Sequence, residues 1–144
     1  MNFSMIWILI SLFFAAPDDK PLILERVELD EIPFVRADGA TWDEDASGPD
    51  VFFILTNLAT GEIVYESSIQ YNLKPDLLPR YWHITQERIP MTNNKWEITL
   101  LDEDDGEQEV MTSWEFDVEF GEDDMDLKND PDFEMELQFD EVDL

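Results

Sequence analysis

Trp114, Phe116, Val118 and Phe120 alternate with Glu115, Asp117 and Glu119, and the same two-residue period returns at Phe133, Met135, Leu137 and Phe139 against Glu134, Glu136 and Gln138. Successive side chains of a strand point to opposite faces, so each of these segments has one apolar and one charged side. Strands of that kind bury one face only, and they need a second apolar layer to close on. Upstream segments agree. Val27 and Leu29 alternate with Glu28 and Asp30 in a first strand from Pro21 to about Ile32, and Val51–Thr56 is a short apolar strand. The turn from Asn57 to Gly61 leads into a third strand at Glu62–Ser67, followed by strands at Tyr81–Gln86 and around Trp96, Ile98 and Leu100. No segment has a convincing helical period. The expected fold is all-β, an antiparallel Greek-key β-sandwich of seven to eight strands.

The chain has 144 residues, including 5 Trp, 3 Tyr and 10 Phe, enough for one domain with a sizeable core. Its formal charge is −28, from 36 acidic residues against 8 Lys and Arg, so nucleic acid is excluded as a partner and an anionic membrane needs a cation in between. Residues 1–16 carry no charged side chain and end an apolar run in small residues before Pro17, the pattern of a signal peptide and hence of an exported protein. The domain is then expected over 17–144, with an acidic surface connection at 121–132. There is no Cys, so no disulfide supports it.

Two acidic bends stand out. Trp42 to Asp50 places Asp43, Asp45 and Ser47 at alternate positions ahead of Gly48, and Asp102 to Glu107 repeats the i, i+2 carboxylate spacing at Asp102 and Asp104. Alternate oxygens in a tight bend converge on one point, which suits a hard cation, although Asp, Ser, Gly and Pro are also ordinary turn residues. If each strand reverses the direction of the one before, the loops at 35–50, 72–80 and 102–109 share one end of the sandwich. That end would gather Asp43, Asp45, Asp50, Asp102, Asp104 and Glu109. Unit charges ~4 Å apart repel by roughly 4 kcal/mol at an effective dielectric constant of about 20, and a divalent cation relieves this. Calcium is favoured over zinc, since Cys is absent and His83 is the only His, and over magnesium, since many flexible carboxylates suit variable coordination. An EF-hand is excluded because Ile54 stands where its bidentate Glu belongs.

Ser47-Gly48-Pro49-Asp50-Val51-Phe52-Phe53 is similar to the first-loop sequence of the calcium-dependent lipid-binding C2 domain, and Asp102-Glu103-Asp104 followed by Glu109-Val110-Met111 resembles its third loop. Leu78-Pro79-Arg80-Tyr81-Trp82 is a looser counterpart of its Asn-Pro-x-Trp segment. The resemblance covers about residues 22–140. It implies an eight-stranded sandwich with calcium held between the first and third loops, and a phospholipid surface or a protein as partner. Leu77 and Leu78, at the tip of the second loop, are the expected membrane contacts. Three departures accompany it: seven countable strands, Glu109 as the last ligand instead of Asp, and no basic cluster for anionic headgroups.

An enzyme is a poor reading. His83 lies on a strand between Trp82 and Ile84, and no Ser occupies a nucleophile elbow. The competing reading is a structural or adhesive exported sandwich whose acidic loops hold no specific metal. An acidic mimic of nucleic acid is a third, permitted by charge but not by charge spread over strands and loops.

Overall fold

A computed structural model describes residues 22–142 apart from 85, 93, 94, 120, 122 and 131. The stretch read as a signal peptide lies outside the described residues. Nine strands occur among them: β1 (Leu22–Glu31), β2 (Val51–Asn57), β3 (Glu62–Glu66), β4 (Arg80–His83), β5 (Ile89–Met91), β6 (Lys95–Asp104), β7 (Glu107–Asp117), β8 (Asp124–Asn129) and β9 (Phe133–Glu141). One sheet has the order β4-β1-β9-β8, with the short β5 also pairing β1; the other has the order β3-β2-β6-β7. Every pairing is antiparallel. The chain is thus an antiparallel β-sandwich, and its only helical element among the described residues is a single 3-10 turn at Pro75–Leu77.

Period-two patterning decides which side chains are inside. Val27 and Leu29 from β1, Phe53 and Leu55 from β2, Trp96, Ile98 and Leu100 from β6, and Met135, Leu137 and Phe139 from β9 form one buried cluster between the sheets. Trp82 meets Phe53 edge-on with ring centroids 5.3 Å apart, and Trp114 meets Phe133 likewise at 6.4 Å. Asn129 Nδ2 on β8 donates to Thr112 Oγ1 at 2.9 Å and to the Ser113 carbonyl at 2.7 Å, joining edge strands of the two sheets.

Two sequence readings need adjustment. The segment 121–132 is not a bare surface connection, because it contains β8; Met125 and Leu127 point inward while Asp124, Asp126 and Lys128 face out, a strand with only two apolar positions to announce it. The acidic bend at 102–109 is shorter than a loop of that length. β6 and β7 pair as far as Asp104 and Glu107, joined by Asp105 and Gly106 at φ +47° and +90°, the two left-handed residues of a tight hairpin turn. Asp102 and Asp104 are therefore strand residues. They continue the inward row of Trp96, Ile98 and Leu100, so the core face of β6 ends in two carboxylates.

Candidate metal centre

Three segments converge at the end of the sandwich where β6 turns into β7. Asp50 N–H donates to Asp102 Oδ1 at 2.8 Å, and Asn72 N–H donates to Asp50 Oδ1 at 2.7 Å, so residues from the first, second and third connections are directly bonded. Backbone pairs reinforce this: Leu73 N–H to the Pro49 carbonyl at 2.9 Å and Glu103 N–H to the Asp50 carbonyl at 3.0 Å. Gly48 makes the approach possible. Its φ is +102°, and a Cβ there would stand 2.3 Å from the Leu73 carbonyl oxygen.

Asp43 is placed by the folding of its own loop. The Trp42 indole N–H bonds the Pro33 carbonyl at 2.7 Å, which seats the ring against the core, and Thr41 Oγ1 donates to the Asp43 carbonyl at 2.7 Å. Ser47 Oγ donates to Asp43 Oδ2 at 2.7 Å, so the Asp-x-x-x-Ser spacing closes into a bend that points the remaining oxygen inward.

The result is a cluster in which one carboxylate oxygen each of Asp43, Asp102 and Asp104 lies within 4.8 Å of the others. Oxygens 2.3–2.6 Å from a common cation would be separated by up to about 5 Å, so the spacing suits one hard ion. Asp102 is fully buried and Asp43 nearly so. Asp43 Oδ1 and Asp102 Oδ2 are buried with no hydrogen-bond partner, a costly arrangement for carboxylates unless a cation sits between them. Loss of solvent, and then the neighbouring Asp43 and Asp50 charges, push Asp102 up to about 6 against the opposing Asp50 amide. Asp104 is pushed to about 6 by loss of solvent, by its contact with the Asp43 carboxyl and by the Asp102 charge.

The other sequence candidates lie around this trio. Asp45 and Asp50 line a cleft of about 750 Å³ together with Asp43, Asp104 and Asn72. Asp45 is exposed, with Oδ1 accepting the Ser47 amide at 2.9 Å; the Ser47 side chain and amide hold its carboxyl below the usual carboxylate range. Glu109 stands opposite Asp102 across the β6–β7 pair, and its carboxylate is ion-paired with Arg36 at 2.6 Å. Leu77, in the second connection, is exposed, whereas Leu78 is half-buried against the core. Arg36 was not among the sequence candidates. The signal available for it was its isolation, as the sole basic residue between Arg26 and Lys74.

No family model matches the sequence, and no curated protein matches it. Among solved structures, the chain is similar to one described as the structure of a C2 domain, with a TM-score of 0.54 and 12% identity over 85% of this chain and 99% of that one. The fold is C2-like, and the cluster of three aspartates at one end of it could hold a metal ion.

Proposed function

We propose that this C2-like chain is a non-catalytic, exported calcium-binding module whose ion is held by Asp43, Asp102 and Asp104, with Asp45 and Asp50 lining the approach. The observation that carries the reading is the pair of buried, unpartnered oxygens on Asp43 and Asp102, set within ion-sharing distance of Asp104. All available donors are oxygens, and the cleft beside them is open enough for water to complete a high coordination number, which favours calcium over zinc. Bound calcium would neutralise charge shared by the first and third connections, and so fix their relative positions. A phospholipid surface or a protein is the proposed partner at this end. Leu77 is exposed there for such a contact, whereas Leu78 packs inward. Export rests on the apolar residues 1–16.

Thermal melting tests the metal reading. An ion that binds the folded state alone adds about 2.7 kcal/mol at one hundred times its dissociation constant. Millimolar calcium is expected to raise the melting temperature by several degrees, magnesium by less, and chelator should reverse both. Asp102→Asn combined with Asp104→Asn should abolish the shift. A wild-type chain that melts identically with calcium and with chelator would leave the structural-sandwich reading in its place.

A further inference from the structure

Arg36 brings a positive charge to the carboxylate end. The Arg36 guanidinium lies over the Trp42 ring, 5.1 Å from its centroid, and Nη2 donates to the Trp42 carbonyl at 2.9 Å. The same nitrogen is 2.6 Å from Glu109 Oε2. Arg36 is thus held from below by the residue preceding Asp43 and from the side by β7. Its positive charge bears on both Asp102 and Asp104, favouring their ionised forms.

Glu109 is the carboxylate that Arg36 ties up. It is paired with Asp102 across the sheet, and side chains directly opposite on antiparallel strands share a face. Among the other carboxylates lining the cleft, Asp45 and Asp50 each have one oxygen committed to a backbone amide. Asp43, Asp102, Asp104 and Glu109 together with Arg36 carry a net charge of −3. One divalent ion leaves −1 on this inner group, and Asp45 and Asp50 add further negative charge along the cleft. Without the guanidinium the four carboxylates carry −4, which two divalent ions balance.

Resting on the metal-binding reading above, we infer that Arg36 is a built-in counter-cation: it holds Glu109 out of coordination and restricts this end of the sandwich to a single divalent ion. Arg36 is a positioning residue here, acting through Glu109. The geometry also gives Glu109 a role different from that of the aspartates, since it neutralises Arg36 and leaves the metal to them.

Calcium titration by calorimetry and by equilibrium dialysis of the full chain reads the number of ions bound. One ion per chain is expected for the unaltered protein. Arg36→Met keeps an apolar stem over Trp42 but removes the charge, and it should bind a second ion; Arg36→Lys should restore one. Arg36→Met with Glu109→Gln should also return to one, because the freed ligand is gone. Two ions in the unaltered chain, or a single ion in Arg36→Met, overturns the inference while leaving calcium binding intact. Uptake of no ion by any variant removes the metal reading and this inference with it. Should Arg36→Met fail to fold, Glu109→Gln alone decides: one ion with affinity changed less than about threefold is expected, and a loss of tenfold or more, as for a ligand, overturns the inference.

Discussion

Asp102 is the residue on which opposing demands meet. It ends the buried row of β6, gives one oxygen to the Asp50 amide and keeps the other without a partner. In the absence of metal its ionised form is disfavoured, so Asp102→Asn is expected to raise the melting temperature in chelator at neutral pH while abolishing the rise caused by calcium. A purely structural aspartate would lose stability in both conditions. Gly48 makes a second residue-scale case. Gly48→Ala meets both a left-handed φ and the Leu73 carbonyl, so it should cost at least about 2 kcal/mol. Gly106→Ala, with a positive φ but open space around it, should cost nearer 1 kcal/mol. Urea melts of the two variants give the comparison. Asp43, Asp102 and Asp104 were legible in the sequence because carboxylates at i, i+2 beside a strand are conspicuous. Arg36 was not, because its role depends on a contact with Glu109 across 73 residues.

At the scale of elements, alternation carried the reading where one face of a strand is richly apolar and failed where it is not. β9 and the apolar half of β7 follow directly from their aromatic and aliphatic repeats. β8 offers only Met125 and Leu127 among acidic residues, and β5 is three residues with a proline at its centre, so neither announces itself. Strand parity still gives the shared end with β5 present, because β4 and β5 both pair antiparallel with β1 and so run in the same direction. The outer face of this sheet is crowded with like charge: Glu136 on β9 stands opposite Glu28 on β1 and Asp126 on β8. Glu136→Lys should therefore stabilise the chain by about 1 kcal/mol, measurable as a higher urea midpoint. Asp30 on the same face is pushed up to about 6, by loss of solvent and then by Glu28. A carboxyl with a folded value above its unfolded one binds its proton more tightly when folded, so its stabilising contribution is present below about pH 4 and is lost as pH climbs through about 6. In chelator the chain should accordingly melt higher near pH 5 than near pH 7.

Over the whole molecule, a charge of −28 on a chain without disulfides opposes compaction, and a core of two facing sheets must overcome it. Added monovalent salt should raise the melting temperature in chelator by screening that repulsion, and should do so less once calcium is bound. The organisation by which the molecule manages its charge is uneven. Most carboxylates face solvent along the strands, where water solvates them, and among the described residues three are drawn together at one end, two of them with an oxygen hidden from water. That contrast separates a metal centre from general acidity, and it is measurable without knowing any partner. Isothermal titration of calcium into the full chain and into Asp102→Asn/Asp104→Asn is the direct measurement. Saturable binding by the unaltered chain that the double variant lacks is the expected result; equal heats from both, or none from either, would contradict a calcium site at this end of the sandwich.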